Sequence, residues 1–494
     1  MNPRAASVVA LLSGGLLTLA YPEPDVGPLA WIALAPLLLV TRAVTWRRGA
    51  WLGLLFGIGF LGSLVAWISI VGWVAWAVLV LKEALFIAAF GALWAILSRA
   101  LPGWARVVAA AALWAAIELG REVLPVVAFP WGQLAQSQHN LPWMLRVAGL
   151  GGGLLLAVVV VAINACVAEA YRAAAGRRVA GAAVWLAATA ALVAAPLAIP
   201  TSRATGRAID VAIVQGNVPD RPPSFAKDLE IISSHARLTR ELDDEVDLVV
   251  WPESSVGIDP DTEPAVKRAM TASADAVGVP MLVGGNHDLP GDRYQVVLFE
   301  VAPRAGIVDE FQKVHLVAFG EYVPGRRFLG WIPLLDQVPR DAVPGVESKL
   351  FDVAGGSVAP AISYEGDFGR LVRERIALGG RLLVVATNTS TWERSWASAQ
   401  HVAFSQVRAA ENGVWVVHAA LSGISAFVAP DGTVTESTGL YETTTVVEDV
   451  TFAREVTVYA RAGDWVMIVV WALSVAAVVV GARRARTPGR ARDA

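Results

Sequence analysis

The chain has 494 residues, of which 55% are hydrophobic and only 17% are charged. Its mean hydropathy of +0.53 excludes an ordinary soluble globular protein, because such a protein must cover its surface with polar groups. The net charge of -3 argues against a nucleic-acid partner, which would need a basic face. The single cysteine, Cys166, excludes an intramolecular disulfide and a cysteine metal site.

Eight apolar stretches are long enough to cross the hydrocarbon core of a bilayer, which takes roughly 17 to 25 helical residues. The predicted spans lie near 6–21, 28–44, 51–69, 72–98, 104–124, 145–170, 179–199 and 465–482. The first resembles a signal peptide, but it continues directly into further spans, so we expect it to be retained. We therefore predict a seven-helix transmembrane domain at 1–200, and an eighth transmembrane helix with a basic tail at 464–494.

Arginines in the short loops predict which way the spans face. They occur before the first span and in every second loop: Arg4, Arg42, Arg47, Arg48, Arg99, Arg106, Arg172, Arg177 and Arg178. The intervening segment YPEPDVG at 21–27 has no basic residue. Because basic loops prefer the cytoplasmic side, residues 200–463 are predicted to lie outside the cytoplasmic membrane. The arginines at 483, 484, 486, 490 and 492 then form a cytoplasmic tail.

A different pattern covers residues 208–463, where short β-branched runs alternate with amphipathic stretches. The helices are predicted at 224–243, 261–277, 367–378 and 396–412. The strands are predicted at IDVAIVQGNV, DLVVWPE, VPMLVGG, YQVVLFEVA, VAPAISYEG, RLLVVATN, VWVVHAA and ISAFVAP. Several of these runs are almost continuous Val, Ile and Leu, which is typical of strands buried on both faces. The pattern predicts an α/β sandwich or layered domain.

Three strand ends carry polar residues suited to chemistry. Glu253 ends one strand, Lys313 lies in VDEFQKVHL, and Ser363 follows the apolar run APAI. Chemistry in α/β sheets collects just past strand ends. A carboxylate, a lysine and a hydroxyl there would supply a base, an electrostatic stabiliser and a nucleophile.

The motifs around these residues resemble a known family. WPES, K-x-H-L-V-A-F-G-E-Y-V-P and I-S-Y-E are similar to the carbon-nitrogen hydrolase (nitrilase) superfamily, whose αββα sandwich carries a Glu-Lys-Cys triad. AFPWGQLAQSQ, VQGNV, QHVAFSQVRAAENG, SGISA and YARAGDW, in that order and flanked by spans, resemble the apolipoprotein N-acyltransferases. The resemblance covers nearly the whole chain.

That resemblance implies a reaction and a role for each site residue. The reaction is transfer of an acyl chain from a membrane phospholipid to the N-terminal amine of a diacylglyceryl-cysteine lipoprotein, by a ping-pong acyl-enzyme mechanism. Glu253 would be the general base and Lys313 the stabiliser of the oxyanion. Glu321 would be a second, supporting glutamate, and Tyr364 and Glu365 match the residues after the nucleophile. We expect neither a cofactor nor a metal.

Ser363 departs from this family, which has cysteine at that position. A thiol pKa of about 8.5 lies only roughly four units above that of glutamate, whereas an alcohol is far less acidic. Ser363 is either an engineered substitution or native to a divergent or catalytically silent homologue that binds lipoprotein or phospholipid. Further departures in TNTSTWERS at 387–395 and YQV at 294–296 favour the native explanation.

Two other interpretations remain open from the sequence. A membrane-tethered amidase is a weaker alternative, because a small polar amide would not require eight spans. His315 and His401 are the histidines within the motifs, and we expect each to be structural rather than to act as the base of a serine hydrolase.

Overall fold

The computed structural model describes residues 2–124, 128–220, 222–243 and 245–485. The chain divides into two compact units, one comprising Met1–Thr201 and Ala462–Ala494 and the other Ser202–Arg461. Arg486, Arg490 and Arg492 of the predicted basic tail lie outside the described residues.

The α-helices of both units follow one another in chain order. They are α1 (Pro3–Thr18), α2 (Ala35–Val40), α3 (Trp46–Leu64), α4 (Trp73–Ala100), α5 (Gly103–Val123), α6 (Pro142–Leu145), α7 (Ala148–Ala175), α8 (Val179–Ala194), α9 (Phe225–Arg240), α10 (Pro264–Val277), α11 (Arg326–Leu329), α12 (Gly369–Ala377), α13 (Ala397–Asn412), α14 (Val458–Ala462) and α15 (Trp465–Ala485).

The strands all belong to the second unit. They are β1 (Ala208–Gln215), β2 (Leu248–Val256), β3 (Met281–Leu289), β4 (Arg293–Ala302), β5 (Gly306–Gln312), β6 (Asp341–Ala342), β7 (Phe351–Val353), β8 (Gly356–Ile362), β9 (Leu382–Thr387), β10 (Val416–Ala420), β11 (Ala426–Val428), β12 (Val434–Ser437) and β13 (Thr444–Thr451).

The first unit is a bundle of apolar helices, which identifies a membrane protein. Within the described residues, four helices are long and apolar enough to span a bilayer: Trp73–Ala100, Gly103–Val123, Ala148–Ala175 and Val179–Ala198. Shorter apolar helices occupy Pro3–Thr18, Gly27–Val40 and Trp465–Gly481. The polytopic bundle is therefore as predicted, whereas four full-length candidates stand where the sequence predicts eight spans.

The predicted span near 28–44 is shorter because the helix is broken there. A 3-10 turn at Gly27–Trp31 precedes α2, and Pro36, which has no main-chain N–H to donate, lies at the start of that helix. Asn164 of α7 accepts from the main-chain N–H groups of Leu34 and Ala35, at 2.9 and 3.0 Å. Such compensation allows irregular backbone inside a bundle, where water is absent.

Small residues bring the helices of this unit into close contact. A Cβ added at Gly53 of α3 would lie 2.3 Å from the carbonyl oxygen of Ile87 on α4. One added at Gly14 of α1 would lie 2.1 Å from the carbonyl oxygen of Phe56. Both distances are far below van der Waals contact, so only glycine permits this backbone approach, as in other helix pairs within membranes.

The charged side chains inside the bundle form a buried network. Arg121 donates to Glu83 and to the main-chain carbonyl of Trp131. Glu118 accepts from the indole N–H of Trp114 at 2.8 Å, rather than taking the Arg121 side chain that its i,i+3 spacing indicates. Arg121 therefore pairs with a glutamate on a neighbouring helix and not with the one on its own helix.

The second unit contains two sheets that pack face to face. The order is β13-β1-β2-β3-β4-β5 in one sheet, with β6 beside β4, and β12-β11-β10-β9-β8-β7 in the other. Val211 and Ile213 of β1 share a buried cluster with Val384 of β9. The side chain of Val214, which follows Ile213, packs with Met270 of α10 on the outer face. Helices α12 and α13 cover the outer face of the second sheet.

These layers confirm the αββα sandwich that the resemblance implies. The four helices predicted from amphipathic spacing correspond to α9, α10, α12 and α13. The prediction missed β5 and β13, which pair antiparallel with β4 and β1, and also the short strands β6, β7 and β12. Asp309 and Glu310 in the middle of β5 break its apolar pattern, which explains the omission.

Candidate active site

An irregularity in β2 positions the side chain of Glu253 in the site. The strand pairs parallel with β3 up to Trp251 and resumes at Val256, so the register shifts between these residues. Gly284 of β3 makes the close approach possible, because a Cβ there would lie 2.3 Å from the carbonyl oxygen of Pro252. Such bulges commonly redirect side chains next to active sites. Glu253 is buried, and burial raises the pKa of its carboxyl group.

Lys313 directly follows β5 and donates to both predicted glutamates. Its Nζ lies 3.0 Å from Oε1 of Glu253 and also donates to Oε1 of Glu321. The other oxygen of Glu321 accepts from the main-chain N–H of Val317 at 2.7 Å, which fixes that carboxylate. Burial alone would lower the pKa of Lys313, but Glu253 and Glu321 outweigh it and raise the pKa. The lysine is therefore held as an ammonium ion.

Ser363 is the first residue after β8 and begins a 3-10 turn. Its φ of 49° lies in the left-handed region, which is uncommon for a residue with a Cβ and is typical of constrained functional positions. A hydrogen bond from the Ser363 hydroxyl is one of the interactions that lower the pKa of Glu253, opposing the effect of burial. The structure thus brings Glu253, Lys313, Glu321 and Ser363 together.

Glu365 is fully buried, and its carboxylate binds main-chain N–H groups from two segments of the site. Its Oε1 accepts from the main-chain N–H groups of Val314 and His315, at 2.9 and 3.1 Å. Its Oε2 accepts from the N–H of Ile362 at 3.0 Å, and Arg375 donates to Oε1 at 3.0 Å. Since Val314 follows Lys313 and Ile362 precedes Ser363, this one carboxylate fixes both neighbours of the catalytic candidates.

Tyr364 packs among aromatic rings beside the site. Its ring lies 4.9 Å from that of Phe368 in an edge-to-face arrangement and 5.9 Å from the imidazole of His315. Burial lowers the pKa of His315, so this ring is best described as a neutral packing group. The prediction that His315 is structural agrees with these contacts.

The structure adds residues that the sequence did not single out. Oγ1 of Thr387, the last residue of β9, lies 3.2 Å from Oγ of Ser363 and 3.2 Å from Nδ1 of His401. Asp367 faces the other nitrogen of His401. Thr387 ends the apolar strand β9, and that signal was available in the segment 387–395. Glu253, in contrast, was predicted to end its strand but lies within β2, which continues to Val256.

The departure at 294–296 also lies at the site. Burial raises the pKa of Tyr294 to about 12, and the charge of Glu321 adds to that effect. The carbonyl of Val296 accepts from the main-chain N–H of Lys313 at 2.9 Å. This segment therefore holds the main chain of Lys313 through a backbone hydrogen bond. That bond does not depend on which side chains occupy 294–296.

One group of side chains in the described residues has the spacing of a metal site: Asp259, Asp261 and His287. Both ring nitrogens of His287 face carboxylates, Asp259 at 3.1 Å and Glu310 at 2.9 Å. The hydrogen bond to Glu310 raises the pKa of His287 to about 9. Such an imidazolium holds protons where a metal ligand needs a lone pair. These contacts describe a charge network.

Comparison with known proteins places both units. Residues 13–166 match the family described as apolipoprotein N-acyltransferase N-terminal domain, and residues 210–458 match carbon-nitrogen hydrolase. The chain is also similar to a crystal structure of an amidase from Nesterenkonia sp., with 16% identity and a TM-score of 0.42, over 55% of this chain and 97% of that one.

Curated relatives match over nearly the full length. A protein named apolipoprotein N-acyltransferase from Geobacter metallireducens is 30% identical, over 97% of this chain and 95% of its own. One of the same name from Gloeobacter violaceus is 32% identical, over 98% and 96%. One from Mycolicibacterium smegmatis is 31% identical, over 87% and 77%. The chain belongs to the apolipoprotein N-acyltransferase family.

Proposed function

We propose that this protein transfers an acyl chain from a membrane phospholipid to the N-terminal amine of a diacylglyceryl-cysteine lipoprotein, with Ser363 as the nucleophile. The observation that carries the proposal is that Glu365 binds the main chain beside both Ser363 and Lys313, while Lys313 donates to Glu253 at 3.0 Å. A base, a cation and a nucleophile brought together in one site are the minimum for acyl transfer.

In the first half-reaction, Glu253 takes the Ser363 proton while Oγ attacks the ester carbonyl carbon of the phospholipid. Negative charge develops on the carbonyl oxygen, and the ammonium of Lys313 stabilises it. When the intermediate collapses, the bond to the glycerol oxygen breaks and that oxygen takes the proton from Glu253. The products are a lysophospholipid and an acyl ester on Ser363. Burial of Glu253 suits it to this role, because its raised pKa makes it a stronger base.

In the second half-reaction, the lipoprotein amine attacks the acyl ester. Glu253 takes a proton from the nitrogen and returns it to Oγ of Ser363 as the ester bond breaks, so the free enzyme is regenerated. Glu321 makes no proton transfer in this scheme. It shares Lys313 with Glu253 and thereby orients the ammonium towards the reacting carbonyl.

We further propose the domain arrangement and orientation. Residues 1–200 form a seven-helix transmembrane domain, 208–463 an extracytoplasmic catalytic domain, and 464–494 an eighth transmembrane helix with a cytoplasmic tail. The alternating arginine loops support this topology. The reaction supports it too, since both substrates are membrane-held amphiphiles.

Labelling with a membrane-impermeant maleimide tests the orientation. A Ser233→Cys chain carries its thiol on the exposed face of α9, and an Ala175→Cys chain carries it at the predicted cytoplasmic end of α7. Intact cells should label the first variant, and the second should label only after the membrane is opened. The reverse pattern would contradict the topology. Native Cys166 is buried, so background labelling should be low.

The function itself is tested by incubating the purified full chain with a phospholipid that carries an alkyne-tagged acyl chain. Mass spectrometry should find the tagged acyl group on the peptide that contains Ser363, and a Ser363→Ala chain should lack it. Equal labelling of both chains would contradict the assignment of the nucleophile.

A further inference from the structure

A series of polar contacts runs from Ser363 through Thr387 to His401 in the protein interior. Thr387 lies at the end of β9, which pairs parallel with β8, so its side chain reaches the first residue after β8. Its Oγ1 lies 3.2 Å from Oγ of Ser363 and 3.2 Å from Nδ1 of His401 on α13. Thr387 and His401 are both buried.

The series ends on a buried carboxylate. Nε2 of His401 lies 3.1 Å from Oδ1 of Asp367, and Asp367 belongs to the same 3-10 turn that starts at Ser363. The His401 ring also packs edge to face on His418, with ring centroids 4.9 Å apart. Four groups from one strand end, one turn and one helix are thus linked in series, and the mechanism above uses only Ser363.

The direction of these bonds follows from counting protons. Oγ1 of Thr387 donates to Oγ of Ser363, so the Ser363 proton stays available for Glu253. Thr387 has one proton, which it gives to Ser363, so towards His401 it accepts. His401 must then donate from Nδ1, and its Nε2 faces the carboxylate of Asp367. Burial alone would lower the pKa of His401, but the charge of Asp367 outweighs it and raises the pKa. As an imidazolium, His401 can donate from Nδ1 to Thr387 while its positive charge faces the carboxylate of Asp367.

We propose that Thr387 is a further catalytic residue and that His401, held by Asp367, is its positioning residue: together they donate to Ser363 Oγ and stabilise the negative charge that develops as its proton leaves. The proposal rests on the proposed function of Ser363 as nucleophile. The Thr387 hydroxyl should matter for an oxygen nucleophile and much less for a sulfur nucleophile, because a hydroxyl oxygen accepts hydrogen bonds strongly and a sulfur only weakly.

The matched experiment compares Thr387→Val and Thr387→Ser in two backgrounds, the native Ser363 chain and a Ser363→Cys chain. Valine keeps the shape of threonine and removes the hydroxyl, whereas serine keeps the hydroxyl. The readout is the rate of acyl transfer from the alkyne-tagged phospholipid to residue 363 in the full-length protein. With Ser363, Thr387→Val should slow acylation by about tenfold or more, the usual effect of losing a hydrogen bond to a charged group, and Thr387→Ser should restore most of it.

In the Ser363→Cys background, the same Thr387→Val substitution should alter the rate by less than about threefold. His401→Gln should show the same dependence on the nucleophile, because it weakens the donor through Thr387. A purely structural role would instead slow both backgrounds equally, and that outcome would overturn the inference. So would acylation of Ser363 that is indifferent to Thr387→Val, or acylation that appears only with the Ser363→Cys chain. Failure of acylation in every chain would contradict the proposed function itself.

Discussion

Replacing Glu365 with glutamine should destabilise the second unit strongly. Glu365 and Arg375 are both completely buried, and their side chains are 3.0 Å apart. Removing one charge of a buried pair leaves the other unpaired and costs about 3–5 kcal/mol. In addition, glutamine replaces one of the two accepting oxygens with an N–H₂ group, which cannot accept. The main-chain N–H groups on one side therefore lose their acceptor, either that of Ile362 or those of Val314 and His315.

The expected change can be measured by thermal unfolding of the full chain in detergent. A unit of this size shifts its Tm by roughly 2–4 °C per kcal/mol, so Glu365→Gln should lower the Tm by about 6–20 °C. Glu374→Gln is the matched control. Glu374 is 45% exposed and lies 3.9 Å from Arg370 at i,i+4, a surface pair worth only about 0.3–0.5 kcal/mol.

Acylation should fall together with stability, because Glu365 holds the main chain beside both Lys313 and Ser363. The rate is measured below the Tm of the variant, so that unfolding does not account for the loss. If Glu365→Gln lowered the Tm no more than Glu374→Gln does and left acylation intact, the central position assigned to this carboxylate would be refuted.

Three further predictions follow from the site and its surroundings. The Ser363→Cys variant should be acylated faster than the native chain, and its thioester should be sensitive to hydroxylamine. The adduct should disappear when Glu253→Ala is added. A cysteine variant that stays unacylated would show that the site cannot carry out acyl transfer. Lys313→Arg should slow acylation by about 100-fold, because a planar guanidinium cannot replace a compact ammonium between two carboxylates, and a change within about twofold would contradict the role of Lys313. Glu310 raises the pKa of His287 to about 9, so protonated His287 stabilises the folded protein fully below about pH 6.5, and this contribution is lost as the pH rises through about 9. The Tm of the protein should therefore fall over that pH range, and His287→Gln should make the fall smaller.

The sequence predicted the parts of the site that strand ends and motifs mark directly. Glu253 and Ser363 each follow apolar runs, and Lys313 lies in a motif with Glu321. Their convergence needed only the rule that polar residues past strand ends meet at one edge of an α/β fold. Their catalytic roles stay predictions until acylation is measured.

The contacts that bind these residues together were not predictable from spacing. Thr387 reaches Ser363 because β9 lies parallel to β8, and His401 joins them because α13 packs on the outer face of that sheet. Glu365 was expected only to support the site by its position after Ser363. That it ties together two separate segments of backbone depends on the tertiary packing of Arg375 and β5, which no local pattern encodes.

The membrane spans show a similar limit. Hydropathy located the apolar stretches, but it could not show that Pro36 divides one of them or that Asn164 compensates from a helix far along the chain. The ion pair of Arg121 with Glu83 links α5 to α4 across many intervening residues. In each case the deciding contact joins residues that are distant in sequence.

The mass of a lipoprotein N-terminus tests acyl transfer by Ser363 directly. A diacylglyceryl-cysteine lipoprotein is incubated with phospholipid vesicles that contain either the full-length native chain or its Ser363→Ala variant. We expect the native chain to add one acyl group to the N-terminal amine and to release an equal amount of lysophospholipid, whereas the variant should add none. An unchanged N-terminal mass with the folded native chain would contradict acyl transfer by Ser363.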